Sequence, residues 1–308
     1  MTRHRPTIRT ELYFAIAFAA FTTSAPWCLA QNNIDPPAAT FTLWQLPSRT
    51  PSQNMAYVLR SCRGRILVVD GGNKGDAEYL SGFLAPLGNR VHAWFISHPH
   101  PDHVNALTAI LRAPGQLHIE HIYGSMPDES WFAQHEPEPP LNLESFRQFN
   151  RALRDANRKV EELAIGQRID IDSIRIEILA VKNPEITANP VNNSCIVMRV
   201  ADDRKSVLFT GDLGVEGGQK LLKSVAPEKL RADYIQMAHH GQAGVDQDFY
   251  KAVNPRYCLW PTPAWLWDND SGAGKGTGPW QTLKVREWME NLNVERHYVS
   301  ATGLVRID

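Results

Sequence analysis

Apolar positions recur along this 308-residue chain in two different rhythms. Three short runs rich in aromatic and β-branched residues, at 40–46, 54–60 and 64–70, are separated by Pro, Ser, Gly and Arg clusters, which is the punctuation of successive strands. Residues 76–87 change to helical spacing, 91–97 return to a strand, and 102–111 continue as a helix. From 127 to 163 the pattern predicts a mostly helical cap or insertion, interrupted by a proline-rich stretch at 136–140. Strand patterns follow at 168–171, 174–181, 195–200, 206–210, 233–237, 257–260, 297–300 and 304–307. Helices fit at 217–224, 247–253 and 280–292. Two β-rich halves, each with its own helices, predict an α/β fold of two sheets packed face to face with helices outside.

The first thirty residues follow neither rhythm. Arg3, Arg5 and Arg9 make a basic start, residues 12–21 are continuously apolar, and Cys28, Leu29 and Ala30 precede Gln31. That order predicts a secretory signal peptide over 1–30 and a secreted or periplasmic protein. The apolar stretch is shorter than the roughly 20 residues a bilayer span needs, so no membrane span is expected after cleavage. A composition of 43% hydrophobic and 21% charged residues, without repeats, predicts one folded domain over 31–308. The leader's three arginines and Glu11 carry net +2, so the whole-chain charge of −1 becomes −3 without it. Nucleic-acid binders carry a cationic excess or stripe, and this balance shows no strong signature of one. Cys62, Cys195 and Cys258 have no zinc-finger spacing and are too few to staple such a domain.

Candidate chemistry is concentrated in three short segments. His98-Pro99-His100-Pro101-Asp102-His103 directly follows an apolar strand. Imidazoles two apart in an extended turn point the same way and can share one metal, while the adjacent Asp102 and His103 face a second. The prolines narrow the backbone choices of that loop. The second segment is the buried strand 206–209 running into Thr210-Gly211-Asp212, whose carboxylate can bridge two cations. The third, Gln236-Met237-Ala238-His239-His240-Gly241, ends another strand in imidazoles. In an extended segment His239 and His240 face opposite ways, so one of them is expected to bind metal. We assign that role to His239 and leave His240 to contact substrate or a leaving group.

With these segments and with Val69-Asp70-Gly71-Gly72 and Asn192-Asn193-Ser194-Cys195, the chain resembles the metallo-β-lactamase superfamily over about residues 54–257. Within it, the chain is similar to the soluble domain of bacterial DNA-uptake competence proteins. The resemblance implies an αββα sandwich, the metallo-β-lactamase fold, with metals at the edge between sheets and Asp70 orienting the histidine loop from beneath. It implies two divalent ions, zinc or else manganese or iron. His98, His100 and Asp212 would hold one, and Asp102, His103, Asp212 and His239 the other. Where many members carry a further metal-binding histidine, this chain has Asn192 and Asn193, as the competence branch does. His118, His121 and His135 are the remaining histidines considered for the missing ligand.

A bound divalent metal lowers the pKa of water from about 15.7 toward roughly 7, which predicts hydrolysis by a metal-bound hydroxide, with Asp102 accepting or returning a proton. The resemblance points to a phosphoester, foremost a phosphodiester, as substrate. A lactone or β-lactam, iron-based redox chemistry and a non-catalytic extracellular binding module are the competing readings. Trp260, Trp265 and Trp267, with Trp280 beyond a glycine-rich stretch, form either an aromatic wall for a flat or cationic group or packing at a sheet edge.

Overall fold

The three short runs near the start of the domain resolve into antiparallel strands, β1 (Thr42–Gln45), β2 (Ala56–Arg60) and β3 (Ile66–Asp70), in a computed structural model that describes residues 40–308. The expected leader, residues 1–30, lies outside the described residues. From β3 onward the strands are parallel: β4 (Arg90–Phe95), β5 (His118–Gly124) and the two-residue β6 (Glu161–Glu162). Parallel neighbours need crossovers, and helices provide them. These are α1 (Ala77–Leu84), α2 (Pro101–Arg112), and the pair α3 (Glu129–His135) and α4 (Pro140–Asp155).

The second half repeats the scheme. Strands β7 (Arg168–Ile171), β8 (Ile174–Ala180), β9 (Val197–Ala201) and β10 (Ser206–Phe209) are antiparallel. Strands β11 (Tyr234–Gln236), β12 (Tyr257–Trp260) and β13 (Arg296–Val299) then add in parallel to β10. Their connections carry α5 (Val215–Ser224), α6 (Pro227–Leu230), α7 (Gln247–Val253), the single turn α8 (Ala264–Trp267) and α9 (Thr282–Asn291). The last strand, β14 (Val305–Ile307), returns to pair with β1. Each sheet has seven strands, in the orders β14-β1-β2-β3-β4-β5-β6 and β13-β12-β11-β10-β9-β8-β7.

Side-chain alternation sorts the core into layers. Leu43, Tyr57, Leu59, Leu67, Val69 and Phe95 point inward and meet Ile176, Ile178, Met198, Val207 and Phe209 of the other sheet. Their neighbours Trp44, Val58, Val68 and Trp94 point outward beneath Leu80, Leu107, Ile110 and Phe149 of the helices. The second sheet does the same with Leu221, Phe249, Val253, Val285 and Met289. Strands covered on both faces read as continuous apolar runs, as β3 (ILVVD) does. The expected αββα order of layers is the observed one.

Two elements differ from expectation. β5 has no counterpart among the expected strands, because the exposed His118 and His121 interrupt the apolar pattern of the buried Ile119 and Ile122. Residues 161–162 of the expected helical cap form β6, and the cap proper is α3 and α4, with Phe132 stacked on Phe146 at 5.5 Å. No helix among the described residues is long and apolar enough to cross a membrane.

Candidate metal centre

Parallel strands deliver the polar segments to one edge of the sandwich. β4 ends in the histidine loop, β10 in Thr210-Gly211-Asp212, and β11 in the His239-His240 turn. His100 caps α2 and Pro101 is its first residue, so Asp102 and His103 sit in the first turn, where a carboxylate is favoured by the helix dipole. Asp70, at the end of β3, adopts a left-handed backbone (φ 55°) and lies completely buried beneath the loop. Its Oδ1 accepts from the Ser97 amide at 2.7 Å, and its Oδ2 accepts from the Ser97 hydroxyl at 2.7 Å and lies 2.9 Å from His103 Nδ1. Ser97 Oγ is also 3.0 Å from His98 Nδ1.

Two groups of donors converge above this base and share Asp212: His98, His100 and Asp212 form one, and Asp102, His103, Asp212 and His240 the other. In the first, His98 Nε2 lies 3.0 Å from His100 Nδ1 and 3.9 Å from Asp212 Oδ2. In the second, Asp212 Oδ2 is 3.3 Å from His103 Nε2 and 3.5 Å from His240 Nε2, which in turn is 3.1 Å from Asp102 Oδ2. Despite these approaches, His103 Nε2, His240 Nε2, Asp102 Oδ2 and Asp212 Oδ1 are buried without a hydrogen-bond partner. Leaving one such atom unsatisfied costs about 1–3 kcal/mol. All four fall on the residues whose donor atoms lie within 4.8 Å of one another, and imidazole and carboxylate donors so placed fit a divalent cation in their chemistry.

Electrostatics separate the imidazoles. Burial lowers the His98 ring, and His103 and His100 beside it push it further down, so it is neutral at ordinary pH. Burial also works against a charged His240, but Asp212 and Asp102 outweigh it and hold the ring up at about 9. His103 is likewise raised against its burial by Asp212, Asp70 and Asp102. Burial would raise Asp102, yet His103 and His240 keep it below the usual carboxylate range. Asp102 therefore stays ionised, the form in which a carboxylate ligates a cation.

The histidine pair differs from the expectation in its geometry. His239 and His240 are both left-handed (φ 49° and 55°), not extended, so the argument from opposite faces does not apply. His240 is completely buried and joins the four-residue group, its Nδ1 2.8 Å from the Pro261 carbonyl. His239, assigned to the metal from sequence, instead lines the open cleft with Nε2 3.9 Å from Asp212 Oδ2. Of the other histidines considered, His118 and His121 lie on β5, the latter against Glu161, and only His135 lines the cleft.

Further residues complete the site. Gln236 is buried and grips the 210–211 backbone. Asn193 is used structurally: its Oδ1 accepts from Gly217 N at 2.8 Å and its Nδ2 donates to the Ala188 carbonyl and Glu216. Asn192 lines the cleft with a buried Oδ1 that has no partner. Glu136, from the proline-rich break in the cap, reaches His100. The cleft measures about 810 Å³. Trp265 and Trp280 line it with ring centroids 4.8 Å apart, whereas Trp260 is buried and packs edge-on against Trp267. Cys62, Cys195 and Cys258 are free thiols.

Comparison with known proteins agrees with this architecture. Residues 49–245 match the family model described as metallo-beta-lactamase superfamily. ComE operon protein 3 of Bacillus subtilis (strain 168) is 24% identical over 216 residues, covering 64% of this chain, which spans only 25% of that relative's length. Among solved structures, the metallo-beta-lactamase fold protein YhfI from Bacillus subtilis is similar with TM-score 0.52 and 16% identity, covering 87% of this chain and 100% of its own. Unliganded yeast PDE1 is similar with TM-score 0.50 and 12% identity, covering 85% and 97%. At these identities the two structures speak for the fold. The family match and the converging donors together place the chain in the metallo-β-lactamase superfamily, as a metal-dependent hydrolase.

Proposed function

We propose that this hydrolase acts on a phosphodiester with two divalent ions, and that it is exported after removal of residues 1–30. The substrate class rests on the charge of the cleft wall. Among the described residues that line it there is no lysine or arginine, while Glu136 and Glu138 are present. A phosphomonoester brings about −1.5 to −2 charges at neutral pH and is ordinarily met by Arg or Lys. A diester brings a single charge and so asks least of a wall without cationic side chains. The likeness to competence-protein domains favours the same bond, and the basic, apolar start of the chain supports export.

In this reading His98, His100 and Asp212 would hold one ion, and Asp102, His103, Asp212 and His240 would hold the other. Zinc suits these donors, with manganese and iron nearly as suitable. When bound, the ions polarise the phosphoryl group and lower the pKa of water. The chain's own groups then bind and orient. His239 has its ring fixed by Nδ1, which donates to the Ala243 carbonyl at 3.1 Å, and as an imidazolium it would donate Nε2–H to the departing oxygen. Trp265 and Trp280 offer an apolar wall to an ester substituent.

The test is hydrolysis of bis-p-nitrophenyl phosphate beside p-nitrophenyl phosphate and a lactone panel, with metal content measured by plasma mass spectrometry. Two equivalents of metal and a preference for the diester are expected, both lost in Asp212→Ala. Metal with lactone turnover alone overturns the substrate class. N-terminal sequencing of the protein recovered outside the cytoplasm should begin at Gln31, and an intact leader there overturns the export reading.

A further inference from the structure

Each imidazole of the two donor groups has its second nitrogen tied. For three of them the anchor belongs to the framework next to the sheets: Ser97 Oγ for His98, Asp70 for His103 and the Pro261 carbonyl for His240. His100 is held from elsewhere. Its Nε2 lies 2.6 Å from Oε1 of Glu136, at the C-terminal end of α3 in the cap. The same Oε1 accepts from Asn142 Nδ2 at 2.8 Å, and Oε2 accepts from the Val191 amide at 3.4 Å, one residue before Asn192. Glu136 thus joins both cap helices, the 192–194 turn and the histidine loop at one carboxylate.

We infer that Glu136 is the positioning residue of the first metal position, so that the cap, rather than the sheet edge alone, sets the affinity of that position. With Nε2–H committed to Glu136, the lone pair of His100 lies on Nδ1, the nitrogen that faces His98 Nε2 at 3.0 Å. A carboxylate behind a ligating histidine fixes tautomer and ring orientation and raises basicity, and its loss weakens metal binding by about 10–100-fold. Glu136 touches a donor of the three-residue group and none of the four-residue group, so its loss should fall on the first position. Val191, which donates to Glu136, leads directly into Asn192, a residue of the same cleft lining.

The inference rests on the two-metal reading, and cobalt(II) titration of the metal-free protein, followed by its d–d absorption, tests the two separately. The wild type should take up two equivalents. In Glu136→Ala one equivalent should weaken about 10–100-fold with a changed spectrum, while the other keeps its affinity. Glu136→Gln, which retains an acceptor without the charge, should shift the same equivalent less and leave the metal-free melting temperature near that of the wild type. Wild-type affinity and spectrum for both equivalents in both variants would overturn the role of Glu136 alone. So would equal weakening of both equivalents together with a lower metal-free melting temperature in both variants, the sign of a cap anchor only. Fewer than two equivalents in the wild type would overturn the two-metal reading and this inference with it.

Discussion

Gln236 and Gly211 are bonded in both directions: the Gly211 amide donates to Gln236 Oε1 at 2.7 Å, and its carbonyl accepts from Gln236 Nε2 at 3.0 Å. The Thr210 amide donates to the same Oε1 at 2.8 Å, and Gln236 Nε2 also reaches the Met237 carbonyl at 2.7 Å. One side chain of β11 therefore fixes the turn that carries Asp212. Gln236→Ala leaves several buried backbone groups unpaired, so a loss of about 3 kcal/mol in urea unfolding is expected, together with weaker metal retention. A stability change below about 0.5 kcal/mol would show that water replaces these bonds without penalty.

Gly211 has no room for a side chain. Its φ is +55°, and a Cβ there would lie 2.8 Å from both Cys195 Sγ and Ser97 Cβ. Cys195 Sγ accepts from the Asp212 amide at 3.2 Å, and Ser97 supports two site histidines, so neither neighbour can move freely. Gly211→Ala should cost about 2–3 kcal/mol. Gly82, exposed in α1 with open space around it, gives the opposite sign: Gly82→Ala should stabilise by roughly 0.5–1 kcal/mol. Paired thermal melts read both, and equal effects at the two positions would refute the steric argument.

The neighbouring histidines should separate cleanly. His240→Ala removes a buried donor of the four-residue group and should cost one equivalent of metal. His239→Ala should keep the metal and lose turnover by roughly 10²-fold, as for removal of one hydrogen-bonding group that faces the reacting oxygen. Metal content and kcat measured on the same preparations decide it. The reverse pattern would return His239 to the ligand set.

Chelation should be felt throughout the fold. A ligand present at about 100 times its Kd stabilises by roughly 2.7 kcal/mol, which in a domain of this size is about 5–10 °C of Tm. EDTA should lower the melting temperature of the wild type by that order and readdition of zinc should restore it. Asp212→Ala, lacking the carboxylate common to both groups, should not respond to either. A wild type indifferent to chelator would mean that the four orphaned atoms are satisfied in some other way.

The strands and the ligating segments were legible in the sequence because both are local patterns. Continuous apolar runs marked β2 and β3, alternation marked the start of β8, and the histidine loop, Asp212 and the His239-His240 pair are each contiguous. What was not legible depends on long-range contact or unusual backbone. Gln236 is 25 residues from the amide it holds, and Glu136 lies 36 residues from His100 inside a segment that reads as a proline-rich break. The assignment within the histidine pair assumed extended backbone, whereas two successive left-handed residues turn His240 inward. The tryptophans divided by the same logic: Trp260 belongs to β12 and the core, and only tertiary packing brings Trp280 to Trp265.

Acid stability should depend on a carboxylate far from the metals. Asp202, in the hairpin between β9 and β10, accepts from the amides of Arg204 (2.8 Å), Lys205 (2.9 Å) and Phe41 (2.8 Å), so it fastens the lead into β1 to the second sheet. Its partial burial raises the carboxyl, but these three amides outweigh that and hold it below its ordinary value. A carboxyl depressed in the folded state contributes stability that is fully present above its unfolded value, and that contribution disappears as pH falls through the folded value. Asp202→Asn keeps the acceptor oxygens in part but not the charge, and after allowance for solvent screening it should cost about 0.5–1 kcal/mol at neutral pH. The cost should shrink as pH drops below about 4, because the wild-type group is then being neutralised as well. Urea midpoints of both proteins from pH 7 down to the lowest pH at which they remain folded test this. Parallel curves across that range would mean that the charge of Asp202 contributes nothing and that its backbone hydrogen bonds act as neutral ones.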